Sequence, residues 1–165
     1  MRGRTGYVIL AILVISLAAR WWYFRPTHGT GDRAPNFSAV RLDGTSFELE
    51  VLRGQPVLLD FWGSWCGPCR REAPHLRRIQ ASHPELTIVS VALEQDSSRW
   101  LRALEQDGRN WPYQVMETTN SLRFLNGPVA DLYGVNQVPT AILLDETGTV
   151  VATGSEAAAV LDKLR

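Results

Sequence analysis

Asp60-Phe61-Trp62-Gly63-Ser64-Trp65-Cys66-Gly67-Pro68-Cys69-Arg70-Arg71-Glu72 carries both cysteines of the 165-residue chain. The run Pro56 to Trp62 that leads into it is apolar apart from Asp60 and has the length of a buried strand, and Gly63-Ser64 breaks it. A helix is predicted to start near Cys66. Pro68 fits a first turn, where its missing N–H has no partner to lose, and Ala73, Leu76 and Ile79 keep helical spacing. The cysteine pair therefore stands where a buried strand hands over to a helix.

That position has chemical consequences. Two residues separate the cysteines, so one sulfur can attack a foreign disulfide while the other waits about one helical turn away to displace the product. At a helix N-terminus, with Arg70 and Arg71 adjacent, the Cys66 thiolate is stabilised and its pKa is drawn below about 8.5. Cys66 is the expected nucleophile and Cys69 the resolving thiol. Two carboxylates are placed to take the proton of Cys69: Asp60, pointing off the strand toward the core beneath the sulfurs, and Glu72, three residues on from Cys69 along the helix. Glu72 has an alternative as a solvated helix residue. For Asp60 a charge inside an apolar strand is costly unless the site uses it.

Other uses of the pair fit less well. Covalent haem attachment needs histidine after the second cysteine, and position 70 is arginine. A zinc site would have to draw on His28, His75 and His83, whose spacing is wrong for it. A purely structural disulfide closing so short a loop would restrict the unfolded chain little. The 17 Lys and Arg balance the 17 Asp and Glu, which gives no reason to expect a nucleic-acid partner.

Outward from the motif, a strand pair is expected near Phe37 to Leu49, strands at Leu86 to Leu93 and Tyr113 to Met116, and helices at Ser97 to Gln106 and Pro128 to Tyr133. Thr140 to Asp145 and Thr149 to Thr153 form a hairpin through Glu146-Thr147-Gly148, and Ser155 to Lys163 closes the chain as a helix. Alternating strands and helices with an antiparallel pair at the end define an α/β class and one domain. Of the six tryptophans, Trp100 and Trp111 lie away from both the motif and the N-terminus, and core packing is their expected role.

Tyr7 to Ala19 is apolar but for Ser16, and with Arg20-Trp21-Trp22-Tyr23-Phe24 it reaches 18 residues, near the roughly 20 that span a bilayer. An uncleaved signal anchor over residues 1–25 is expected, then a Pro/Gly/Thr-rich linker over 26–33 and the domain over 34–165. A cleaved signal peptide is the competing reading, because Ser16-Leu17-Ala18 resembles a small-residue cleavage site.

Trp65-Cys66-Gly67-Pro68-Cys69 resembles the thioredoxin active site. Ala34-Pro35-Asn36-Phe37, Leu42-Asp43-Gly44 and Leu52-Arg53-Gly54 resemble the lead-in of membrane-anchored TlpA/ResA-type thioredoxins, a resemblance that spans about residues 33 to 165. It implies a thioredoxin-like fold with an N-terminal extension, one preceding transmembrane helix, and an element inserted after the first βαβ unit, near Ser97 to Met116. Glu72 matches the helix-borne acid of the ResA-like branch and Asp60 the acid of thioredoxin itself; both are present here. Gly134-Val135-Asn136-Gln137-Val138-Pro139-Thr140 resembles the cis-proline loop, which implies that Trp65, the Val138 backbone and Pro139 contact substrate. Peroxiredoxins share the fold but carry a threonine where this chain has Gly63.

The resemblance further implies a thiol-disulfide oxidoreductase working in the reducing direction on cysteine-containing proteins, including apocytochromes c before haem attachment. Its electrons would come from an integral-membrane disulfide reductase, its only redox group would be the Cys66–Cys69 pair with no separate cofactor or metal, and its place would be the extracytoplasmic side of a bacterial membrane. An oxidase or isomerase on the same scaffold, or a non-catalytic binding module, are the alternatives.

Overall fold

The computed structural model describes Tyr7 and residues 10–19, 29–122 and 125–164. Residues 10–19 are helical (α1), with their side chains exposed. Among the described residues no helix is long and apolar enough to cross a membrane. Residues 20–28, which complete the expected anchor and open the expected linker, lie outside the described residues, as does His28.

Two three-residue strands, Ser38–Val40 (β1) and Ser46–Glu48 (β2), pair antiparallel and lead through a 3-10 turn, Leu49–Leu52. The chain then runs Val57–Trp62 (β3), Gly67–Ser82 (α2), Thr87–Glu94 (β4), Ser97–Asp107 (α3), Tyr113–Thr118 (β5), Pro128–Leu132 (α4), Thr140–Leu144 (β6), Val150–Gly154 (β7) and Ala157–Leu161 (α5). The main sheet has the order β5-β4-β3-β6-β7, with β3, β4 and β5 parallel and β6 and β7 antiparallel to their neighbours. The segment expected as an insertion, Ser97 to Met116, is thus α3 together with most of β5, the edge strand of the sheet. The closing helix is shorter than its sequence pattern, because after Leu161 the chain tightens into a 3-10 turn, Asp162–Leu164.

β3 is buried at every position, as a central strand covered on both faces must be. Its side chains alternate. Leu59 and Phe61 join Val89, Val91, Phe37, Phe47 and Tyr133 on one face. Leu58 packs with Leu76 and Ile79 of α2 on the other, where Trp62 packs with Cys66, Cys69 and Trp100. Asp60 falls between Leu58 and Trp62, so period-two alternation sends it to the face covered by α2. One burial pattern both makes the strand and aims its single charge beneath the cysteines.

The N-terminal extension clasps the sheet at both sides. Gly31 N–H donates to the Val150 carbonyl at 2.8 Å and Val150 N–H to the Asp32 carbonyl at 2.9 Å, at the start of β7. Further on, Leu42 N–H donates to the Gln114 carbonyl at 3.0 Å, on the free side of β5. Residues 31–33, expected within the linker, are already bound to the domain.

Candidate active site

Cys66 is the N-cap of α2, with extended backbone, and its Sγ accepts the Cys69 N–H at 3.2 Å. The two sulfurs are joined as a disulfide. Cys66 retains 5% exposure and Cys69 none, which orders their roles: only Cys66 is reachable from outside. Cys66 Sγ lies 3.8 Å from the Val138 carbonyl oxygen, and the Val138–Pro139 peptide is cis. The motif and the proline loop, 72 residues apart in sequence, meet at the sulfur.

The approach loop is held from below by the end of β4. Ser64 donates to buried Glu94 through its backbone N–H at 2.5 Å and its hydroxyl at 2.9 Å, and Trp65 Nε1 donates to the Leu93 carbonyl at 2.8 Å. The Trp65 indole folds back over Gly63, where any Cβ would come within 2.5 Å of Nε1. No local sequence pattern marks Glu94 as part of the site. Burial pushes its carboxyl above the usual range, against the two Ser64 hydrogen bonds.

Asp60 does reach the space beneath the cysteines, and it is engaged there. Its Oδ2 accepts from Arg109 Nη1 at 2.6 Å and from Ser90 Oγ at 2.7 Å. Arg109 is fully buried, flanked by Trp62 and Trp111, and its Nη2 donates to the Cys69 carbonyl at 3.0 Å. Trp111 Nε1 in turn donates to Ser90 Oγ at 3.0 Å. Trp111, expected as plain core, is a wall of this network, and Trp100 packs in the cluster that holds both cysteines.

Glu72 is half-buried rather than solvated. Its Oε1 accepts the Ala157 N–H at 2.5 Å, in the first turn of α5. Burial raises its pKa most; the Ala157 hydrogen bond and Arg109 oppose the rise, and Asp60 and Glu156 add to it. Arg70, counted from sequence as a charge beside the thiolate, is turned away: it makes a two-pronged bond to Asp107 with distances of 3.0 and 2.8 Å. Arg71 stays near the helix start, its Nη1 3.5 Å from where a Cβ on Gly67 would sit.

Two depressions flank the disulfide. One of about 420 Å³ is lined by Pro68, Arg71, Glu72, His75, Pro139 and Glu156, among others. The other, of about 230 Å³, lies beside Trp65 with Arg70, Arg99 and Arg102. Among the described residues no group of three or more His, Cys, Asp or Glu is disposed to hold a metal ion. What the arrangement offers is a disulfide with one side reachable at Cys66, a facing backbone carbonyl and a half-buried acid.

The sequence profile of the AhpC/TSA family matches residues 30–153. Over 149 residues the chain is 32% identical to the thiol-disulfide oxidoreductase ResA of Halalkalibacterium halodurans, covering 87% of this chain and 80% of that one. The thioredoxin domain of a thiol-disulfide oxidoreductase from Bacteroides vulgatus superposes with a TM-score of 0.72 at 28% identity, over 84% of this chain and 96% of that domain. A secreted Mycobacterium tuberculosis disulfide oxidoreductase, described as homologous to E. coli DsbE, superposes with a TM-score of 0.63 at 26% identity, over 73% and 83% of the two chains.

Proposed function

We propose, from the premise that this chain belongs to the AhpC/TSA family and is a thiol-disulfide oxidoreductase within it, that it reduces protein disulfides outside the cytoplasm while tethered to a membrane. The observation that carries the reading is the asymmetry of the pair: Cys66 keeps a small accessible area at the start of α2 opposite the Val138 carbonyl, and Cys69 is sealed behind it.

In the reduced protein the Cys66 thiolate attacks one sulfur of the client disulfide. That bond breaks, a mixed disulfide forms, and the client's other sulfur leaves as a thiolate that takes up a proton. Cys69 then gives its proton to Glu72 and its thiolate attacks Cys66 Sγ, which releases the second client thiolate. Two electrons have passed to the client, and the Cys66–Cys69 disulfide is restored. The backbone of half-buried Val138, with Trp65 and Pro139 beside it, receives the client as an extended segment.

Apocytochrome c cysteines awaiting haem are the proposed clients, and an integral-membrane disulfide reductase returns the protein to its dithiol form. The proposed layout keeps an anchor over residues 1–25, while the expected linker over 26–33 shortens to about 26–30, because Gly31, Asp32 and Arg33 already bind the catalytic domain. The exposed apolar side chains of α1, with Leu10, Ile12, Leu13, Val14, Ile15 and Leu17 all more than half exposed, support a lipid environment for that helix. Among relatives, the secreted M. tuberculosis oxidoreductase supports an extracytoplasmic place.

Cys69→Ser cannot complete the second step, so expression of this variant is expected to accumulate client proteins covalently attached through Cys66. Recovery of apocytochromes c by diagonal electrophoresis supports the reading; recovery of unrelated proteins alone overturns the client assignment. A reduction potential near −270 mV for the wild type fits a reductase, and one near −120 mV would make the protein an oxidant.

A further inference from the structure

Arg109 lies outside the cysteine motif, on the loop after α3, yet its guanidinium sits wholly buried under the disulfide. One arm grips Asp60 and the other the backbone of Cys69, at 2.6 and 3.0 Å. Its plane is covered by the Trp62 ring, 3.9 Å from the guanidinium carbon to the ring centroid, with Trp111 at 5.6 Å. Its Nε finds no partner among the described residues, so the group is placed for its two arms and not for the most bonds it could make. A buried ion pair is a weak stabiliser, because desolvation offsets most of the attraction. Scaffolding alone therefore does not account for two charges being kept directly below a redox centre.

We propose that Arg109 is a positioning residue for the resolving step: it compensates the Asp60 charge beneath Cys69 and ties that compensated pair to the Cys69 backbone, so that the Cys69 thiolate forms readily and Glu72 takes its proton. This rests on the dithiol chemistry proposed above and deepens it. The charged groups around the step are Asp60 from β3, Arg109 from the loop after α3, Glu72 from α2 and Glu156 before α5. With Arg109 and Ser90 both donating to its Oδ2, Asp60 serves as their anchor, and the proton of Cys69 goes to Glu72. Without Arg109, a bare carboxylate beneath Cys69 opposes formation of its thiolate.

The two partners then have opposite effects, which a merely structural pair would not show. The full-length protein, reduced in detergent, is mixed with 5,5′-dithiobis(2-nitrobenzoate); Cys66 attacks and releases one thionitrobenzoate, and Cys69 resolves the adduct and releases the second. The second release reports the resolving step. Arg109→Met is expected to slow it at least tenfold at pH 7, and Arg109→Lys, which keeps the charge, to stay within threefold of wild type. Asp60→Asn, which leaves Arg109 uncompensated under Cys69, is expected to accelerate it at least threefold. Slowing by Asp60→Asn, or no change in either Arg109→Met or Asp60→Asn, overturns the proposal. Should Arg109→Met fail to fold, Asp60→Asn and Arg109→Lys decide it by the same signs. Loss of the first release in the wild type would instead overturn the dithiol chemistry itself.

Discussion

Glu72 combines a structural bond with a place near the resolving cysteine. Its Oε1 holds the first N–H of α5, and the same half-buried carboxyl lies three residues on from Cys69. Because burial raises its pKa, Glu72 gains its accepting form only above the ordinary glutamate range. The resolving step should therefore speed up as pH rises through the titration of Glu72. Glu72→Gln is expected to flatten that limb and slow resolution about a hundredfold, the usual scale of a lost general base, as read by stopped-flow release from a Cys66 mixed disulfide; an unchanged pH profile would assign the proton elsewhere. The Cys66–Cys69 pair is legible in the sequence as a short local pattern, Glu72 and Asp60 as acids close to it, and the cis proline Pro139 only through the resemblance of its loop. Arg109 is not. A charge in the apolar strand β3 calls for a counter-ion, but the chain offers 17 lysines and arginines, and only the tertiary fold brings one 49 residues away against Asp60. Ser90 is found the same way, as the register partner of Asp60 on β4.

At the scale of elements, the turn that ends α3 decides where Arg109 goes. Gly108 caps the helix in the left-handed region, φ 62°, ψ 39°, and the next residue is Arg109. A side chain at 108 would meet both that backbone strain and Arg77 Nη1, which lies over the glycine while donating to the Asp107 carbonyl at 2.9 Å. Gly108→Ala is expected to cost about 1–2 kcal/mol from the left-handed backbone alone, measured by urea unfolding, and a variant as stable as wild type would show that the turn tolerates a Cβ. The order and type of elements follow from the sequence because hydrophobic period and turn residues are local signals. Their ends are less legible. Leu86 looks like strand but its N–H closes a turn on the His83 carbonyl at 3.0 Å, so β4 starts at Thr87. The 3-10 ending after α5 likewise reflects how the last residues settle against β7, which periodicity does not encode.

Across the whole molecule, three glutamates share one history. Glu72, Glu94 and Glu117 each accept backbone N–H bonds from a neighbouring element, and burial pushes each carboxyl up. A folded-state pKa above the unfolded value means that the native state binds protons more tightly. The stability these groups contribute is full below the ordinary glutamate value of 4.5 and is lost as pH rises through the raised values. The oxidised protein should therefore lose stability as pH rises above 4.5, and Glu94→Gln should reduce that slope in urea titrations made at several pH values. A stability that climbs steadily over the same window would contradict it. Asp43, Glu85 and Asp145, whose carboxyls are held low by hydrogen bonds, act in the opposite sense only at more acid pH.

The clasp of the N-terminal extension has a consequence at this same scale. An exposed strand edge is a template onto which any unfolded chain can add, and it is the usual starting point of sheet aggregation. Here residues 31–34 cover the start of β7 and residues 41–42 cover part of β5, so both outer margins of the sheet are partly occupied by the protein's own backbone. If the proposed clients are unfolded chains, the same contacts leave those chains less free strand edge to add to. Val138, by contrast, carries no such cover from the extension and keeps its carbonyl 3.8 Å from Cys66 Sγ, so the proposed docking backbone lies beside the sulfur and away from the sheet margins.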